Sequence, residues 1–501
     1  MLALSAACVF PIFKVAYLPI QDLPQHLAAI RVLHDFHDPV FRFSELFELQ
    51  LLRTQYLTVY LATDLLAYVL PLELAMRVVI ALVLVAVPWS LRALLRAIGK
   101  DERLALLAFP LAYNAHFLLG FLNFIAAIAL ALYGLALAVQ IREREQAAVS
   151  TRKQAVLLGV VALTYFYSHV VPFALLGLGA FLVALERDLR AVVRRLLPLV
   201  PCGIAALLWL QTSAAGQATL AAAQGDAAGK RIEHTAAKQA LAQLPMWMTD
   251  ILTGDADDKL LLAWCALMAF ALACSLVPYA RTELGATPLA RALGRRLLLI
   301  APLCALLYFV APTSYDWIWP IAQRFPLLAA LFATLWIAPL KRWLSHAILI
   351  AAFVCSAASF HHAGSAFGMF SRLEVGDFDH ALAAIPPGQR VAGLIYGRGS
   401  RYVAFSPFIH FVAYYQARKG GAVMFTFADF PQSPFRFRED TRPPRVWPRW
   451  EWTPERVRPA TDLAWYDYVL VRGFAPRIAR ADSGFTQVYK GAPWSVWKRV
   501  E

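Results

Sequence analysis

Charge is what this sequence has least of: 16% of its 501 residues are Asp, Glu, Lys or Arg, against about 25% in soluble globular chains. With 60% apolar residues and a mean hydropathy of +0.55, that scarcity excludes disordered and collagen-like classes and argues against a soluble enzyme. Cysteine is equally thin. Six thiols (Cys8, Cys202, Cys265, Cys274, Cys304 and Cys355) stand singly in apolar runs with no Cys-x-x-Cys pair. They read as small core hydrophobes, and neither a disulfide framework nor a zinc site is encoded. Gly-x-Gly-x-x-Gly, the P-loop, His-Glu-x-x-His and Gly-x-Ser-x-Gly are missing too, which removes dinucleotide, nucleotide, zinc-protease and serine-hydrolase readings.

What is present is long apolar runs. Hydropathy places about eleven membrane spans near 2–20, 74–96, 104–119, 121–141, 154–168, 171–187, 196–212, 260–280, 296–313, 325–340 and 345–365, most of them near the ~20 residues a bilayer needs. Lys14 inside the first run, with no Ala-x-Ala site after it, fits a first membrane helix better than a cleaved signal peptide. The stretch 55–70, broken by Asp64 and Leu70-Pro71, reads as an interfacial helix.

The net charge of +14 comes from Lys and Arg, and their distribution sets the orientation. The short segments 92–103, 142–153, 187–195 and 281–296, with Lys341 and Arg342, hold eighteen basic residues. The opposite loops, 21–73, the hairpin tips, 213–259 and 314–324, hold eight over a greater length. The positive-inside rule then puts the N-terminus in the cytoplasm. An odd number of spans sends 366–501 to the extracytoplasmic side. The expected architecture is an all-α polytopic membrane domain over 1–365, with outer loops 21–73 and 213–259, and a small extracytoplasmic α/β domain over 366–501. In that domain the pattern predicts helices at 376–385 and 407–419 and strands at 390–396, 422–427, 466–472, 485–490 and 494–500. A Pro/Arg/aromatic loop, 431–459, reads as a lid, and its Trp447, Trp450 and Trp452 can stack on a sugar face. Nucleic acid is excluded as a partner because this face is extracytoplasmic.

Chemistry concentrates after the first span, in Asp22-Leu23-Pro24-Gln25-His26. A carboxylate there can take a proton from an acceptor hydroxyl or hold a divalent cation against a diphosphate. It can equally cap the following helix, with Gln25 completing a capping box. Asn114, His116, Asn123, Ser168 and His169 fall at two adjacent hairpin tips on the same side, where polar groups mark a site or satisfy backbone freed at tight reversals. Arg324, in a loop with no other cation, can grip phosphate in bidentate fashion or anchor at headgroup level beside Trp317 and Trp319. A metal site drawn from Asp22, His26, His34, His37 or His361 has no diagnostic spacing.

The Asp22-Pro24-His26 element just outside the first span, the interfacial helix and the span count resemble the GT-C superfamily of polyprenyl-phosphate-sugar-dependent glycosyltransferases. The hairpin from Phe109 to Phe124, Tyr167-Ser168-His169 and Gln323-Arg324-Phe325 are similar to elements of bacterial GT-C-like membrane proteins. The resemblance implies Asp22 as the catalytic acidic residue; Gln21 stands where many members carry a second one. It also implies Arg324 as the group binding lipid phosphate, with His26, Asn114, His116 and His169 as further substrate contacts. The implied partners are a polyprenyl-phosphate sugar donor, membrane lipids and a glycan, lipid or protein acceptor. A divalent cation, Mg or Mn, is the implied optional cofactor. The implied location is the bacterial cytoplasmic membrane. Two readings stand beside this one: a non-catalytic assembly protein on the same scaffold, and a lipid or glycan transporter.

Overall fold

A computed structural model describes the chain except Leu52, Arg53, 214–215, 218–219, 222–230, Leu284, Trp317, 445–450, Glu501 and the side chains of 170–173. Trp317, Trp447 and Trp450 therefore lie outside the described residues. The fold is mostly helical. Among the described residues, six helices are long and apolar enough to cross a membrane: Leu72–Ala97, Leu122–Gln146, Leu189–Thr212, Ala256–Leu276, Pro288–Val310 and Arg342–Glu374. The chain is a multi-pass membrane protein.

The other five expected spans fall on shorter helices. Leu2–Lys14 has 13 residues, Arg152–Phe166 and Val170–Ala184 have 15 each, and Phe325–Ala333 has 9. At 1.5 Å per residue none of these matches a hydrocarbon core of about 30 Å. The expected span 104–119 is not one helix: a 3-10 helix covers Glu102–Leu111, and a five-residue α-helix, Ala115–Leu119, follows. Pro110 and the Asn114 turn divide them, because proline withholds the amide that a continuous helix needs. The expected interfacial helix at 55–70 is the ten-residue Thr58–Ala67.

Contacts divide the chain into two compact units. The first comprises 1–10, 80–117 and 121–363. Its centre is the helix Leu122–Gln146, buried along most of its length, on which Arg152–Phe166 and Val170–Ala184 pack. Gly134 makes this packing close: a Cβ there would stand 2.8 Å from a Leu176 methyl. In lipid, where apolar surface gains little by leaving its surroundings, such small-residue contacts hold helices together.

The second unit gathers 11–79, 118–120 and 364–501, so the loop 21–73 packs with the C-terminal region. Its five-stranded sheet runs in the order 422–423, 390–395, 468–472, 494–499, 485–490. The first three strands are parallel and the last two antiparallel. The strand Tyr468–Arg472 is buried throughout, as its central place demands. Leu394, Val469, Val471, Tyr466 and Ile478 form the core on one face.

The strand expected at 485–490 is found with those bounds, and three of the other four expected strands and the 376–385 helix are found with shortened ends. The strand expected at 422–427 stops at Val423, because Phe425 adopts a positive φ of 57°. The helix expected over 407–419 covers only Ala413–Lys419. One pairing went unread in the sequence. Phe47–Leu49 lies antiparallel to Phe435–Phe437, with Glu48 opposite Arg436 and their side chains ion-paired at 3.0 Å. It ties the Pro/Arg/aromatic loop to the segment 21–73. Three residues per strand are too few for alternation to register in sequence.

Candidate functional site

Asp22 sits where the chain turns into the helix Leu23–His34, with Pro24 in the first turn. The residue does not cap that helix: no side-chain hydrogen bond to its amides is made. Nor does Gln25 form a capping box. Its amide donates to the Phe425 carbonyl and its carbonyl accepts from the Phe427 amide at 3.3 Å. The carboxylate is thus left for other work, and its backbone is held from below. The Gln21 and Asp22 amides donate to the Leu118 and Leu119 carbonyls at 2.7 and 3.3 Å. Gly120, at φ +94°, passes so close that a Cβ there would stand 2.8 Å from the Asp22 Cβ. Only glycine takes both that conformation and that approach at no cost.

His410 faces Asp22. Its Nε2 lies 3.3 Å from Asp22 Oδ1 and its Nδ1 lies 2.8 Å from Glu451 Oε1. All three side chains are at most 15% exposed. Burial alone would lower the imidazole's proton affinity, but the Glu451 and Asp22 carboxylates outweigh it and push the His410 pKa up to about 10. His410 is therefore an imidazolium between two carboxylates at neutral pH.

His26 is of the opposite kind. Its Nε2 lies 2.8 Å from the Gly120 carbonyl and its Nδ1 2.8 Å from the Tyr60 hydroxyl. A carbonyl can only accept, so Nε2 carries the proton and Nδ1 accepts from Tyr60. Burial holds its pKa below the ordinary value against the pull of Asp22 and the Gly120 carbonyl, with the nearby His410 charge pushing the same way as burial. With both nitrogens engaged, His26 positions the Gly120 turn beneath Asp22.

The remaining residues expected at a site lie in the first unit. Asn114 caps the helix Ala115–Leu119: its Oδ1 accepts from the Phe117 amide at 3.1 Å, and its Nδ2 donates to Leu111 and Ala112 carbonyls. His116 is fully buried, with Nε2 3.2 Å from the Gln323 carbonyl. Its ring, like that of His169, packs edge-on to Phe124. The Arg324 guanidinium lies over Phe121 and Phe124, 5.4 and 5.7 Å from their centroids, a cation–π arrangement. Structure therefore places Asp22 and His26 together in one unit, and Asn114, His116, His169 and Arg324 in the other.

His410 and Glu451 were missed in the sequence. His410 lies among Phe408, Ile409 and Phe411, where a lone histidine reads as core, and Glu451 is one acid in a loop crowded with Arg. No motif spacing links either to Asp22. Among the described residues no group of three or more His, Cys, Asp or Glu side chains is placed to hold a metal. His34 pairs with Asp64 at 2.8 Å, and His361 meets the His362 ring. The donor set does not fit the divalent cation implied by the resemblance, because His410 and its second carboxylate already flank Asp22.

No family model and no curated protein matches the chain. Solved structures similar to it include two membrane proteins of low identity. One is the arabinofuranosyltransferase AftD from mycobacteria, with a TM-score of 0.45 and 17% identity, covering 99% of this chain and 41% of that one. The other is ArnT from Cupriavidus metallidurans in the apo state, with a TM-score of 0.45 and 13% identity, covering 100% of this chain and 97% of that one. This chain thus spans less than half the length of the arabinofuranosyltransferase.

Proposed function

We propose that the protein is an integral-membrane glycosyltransferase that moves a sugar from a polyprenyl-phosphate donor to a lipid, glycan or protein acceptor. The reaction is placed on the extracytoplasmic face of the bacterial cytoplasmic membrane. The observation that carries this reading is the Asp22 carboxylate, uncommitted to capping and flanked by the charged His410. The sequence resemblance assigns the catalytic acidic residue to the same position.

In the proposed step the acceptor oxygen attacks the anomeric carbon and the bond from that carbon to the phosphate oxygen breaks, inverting the centre. The hydroxyl proton passes to Asp22, and polyprenyl phosphate leaves with the bonding electrons. His410 holds Oδ1, so that the carboxylate keeps one orientation through the step. No metal is part of the step. Arg324 is proposed to bind the phosphate of the lipid carrier, as its planar fork of donors suits that group.

The test is transfer from synthetic polyprenyl-phosphate sugars by the purified full-length protein, with the donors chosen from lipids that co-purify with it. Asp22→Asn, which keeps the shape and removes the base, is expected to lower the rate at least about 10²-fold with an unchanged melting curve. Transfer at the wild-type rate by that variant removes Asp22 as the base. A folded wild-type protein that transfers none of the donors it co-purifies with supports the assembly-protein reading instead.

A further inference from the structure

Within the first unit, an open cavity of about 570 Å³ lies between the helix Arg152–Phe166 and the charged start of Leu189–Thr212, a helix long enough to cross a membrane. Its walls are mostly apolar. Ala155, Val156, Val160 and Leu163 supply one side, and Leu197 and Pro198 the other. Val156, Val160 and Leu197 are each more than half exposed, so the cavity opens outward on an apolar surface. In a multi-pass membrane protein, such a surface along a spanning helix meets hydrocarbon chains.

The polar part of the lining is Arg194, Arg195 and Glu145, and its charges do not cancel. Arg195 is paired with Glu145 at 2.6 Å and also with Glu186, which Arg142 contacts in turn. Arg194 stands 3.4 Å from Glu145. Three guanidiniums therefore share two carboxylates, and one positive charge is left over. The Ala184 carbonyl, which accepts from Arg195 at 3.2 Å, carries no net charge and leaves that excess in place. Arg152 adds a second. It stands one turn before Val156, on the helix face that lines the cavity, is exposed, and makes no ion pair among the described residues. The wider setting has the same sign: 142–153 and 186–195 together hold eight Lys and Arg against four Asp and Glu. Uncancelled guanidiniums beside an apolar cavity are complementary to an amphiphile with an anionic head, whose phosphate oxygens suit the arginine fork. A zwitterionic lipid brings a cation of its own to the same arginines, so a headgroup of net negative charge is favoured.

We propose that this cavity binds one anionic phospholipid, its phosphate held by Arg152 and Arg194 and an acyl chain lying along Val156 and Val160. The inference rests on the chain's being a membrane protein and stands whether or not that protein transfers sugars. Arg152 gives a test that leaves the ion pairs of Arg195 intact. Arg152→Glu reverses a charge where the start of a helix favours the new one, and Arg152→Gln only removes it.

The purified protein in detergent is titrated with dioctanoyl phosphatidylglycerol, dioctanoyl phosphatidylcholine and glycerol 3-phosphate, and bound species are counted by native mass spectrometry. Wild type is expected to bind one phosphatidylglycerol about tenfold more tightly than phosphatidylcholine. Arg152→Glu is expected to abolish that preference and Arg152→Gln to reduce it. Val160→Trp, which puts an indole into the cavity, is expected to weaken binding of both lipids by about tenfold. Glycerol 3-phosphate, which has the phosphate and no chains, is expected not to displace phosphatidylglycerol. Equal affinity of wild type for the two lipids, an undiminished preference in Arg152→Glu, unchanged binding by Val160→Trp, or displacement by glycerol 3-phosphate overturns the proposal. If Arg152→Glu melts below wild type, Arg194→Gln, which removes a lining cation and keeps the pairs of Arg195, gives the same comparison.

Discussion

The imidazole of His410 lies 3.3 Å from the carboxylate of Asp22, a meeting of two residues from opposite ends of the chain. The fold brings it about by packing the helix Leu23–His34 against Ala413–Lys419, both in the second unit. His410 touches no reacting atom in the proposed step, and its part is to hold Asp22. His410→Gln is therefore expected to lower kcat by about 10²-fold with little change in KM, the size of effect that a small misplacement of a reacting group produces. A raised KM with an unchanged kcat removes this role.

The same pair has a pH signature. The His410 pKa stands near 10 in the fold, against 6.5 for an ordinary imidazole. A raised value means that the folded state binds the proton more tightly than the unfolded chain does. The stabilisation is complete below about pH 6.5 and drains away as pH rises toward 10. The gap in melting temperature between wild type and His410→Gln is expected to narrow steadily from pH 7 to pH 10. A gap that stays constant over that range removes the charged imidazolium.

His26 carries the opposite sign. Burial keeps it neutral, so the folded state resists its proton and stability falls as pH drops below the ordinary value of 6.5. Tyr60→Phe takes away the hydroxyl that donates to Nδ1 and leaves a buried acceptor unmet. The expected cost is about 1–3 kcal/mol, read from denaturant unfolding followed by a probe in the second unit. A Tyr60→Phe protein as stable as wild type means that a solvent molecule takes the place of the hydroxyl.

How far the sequence reached can be judged from the same residues. Asp22 was legible as a candidate because a carboxylate, a proline and an imidazole follow an apolar run within a few residues, a local pattern. The six long apolar helices and most of the sheet were legible for the same reason, through hydropathy and alternation. His410, Glu451 and the 47–49 with 435–437 pairing were not, because each depends on contacts between segments far apart in sequence, which no local period records. Proline and short runs hid the breakup of 104–119. Asn114 caps Ala115–Leu119, which is one of the two readings left open for a polar residue at a tight reversal.

The non-local pairing has its own consequence. Phe47 is fully buried between Phe435 and Phe437, at ring separations of 5.1 and 4.6 Å. Phe47→Ala is expected to cost about 3–5 kcal/mol and to release the loop around 431–459. Limited proteolysis should then cut that loop faster than in wild type, at its many arginines. Unchanged cleavage there places the anchoring of the loop elsewhere.

Gly120 offers the sharpest separation of stability from function. Its φ of +94° is one that an L-residue adopts only with strain, and a Cβ would press to 2.8 Å from the Asp22 Cβ and 3.2 Å from the Asp22 amide nitrogen. Neither neighbour is a flexible side-chain end, so the backbone must give. The Gly120 carbonyl also accepts from His26, and a shift there loosens the contact that fixes the turn. Gly120→Ala is expected to cost about 1–3 kcal/mol, which a multi-span protein can survive, and to move Asp22 relative to His410. Transfer should fall by about as much as in His410→Gln, and the double variant should lose little more, because both changes misplace the same carboxylate. Losses that multiply in the double variant mean that Gly120 and His410 act on different groups.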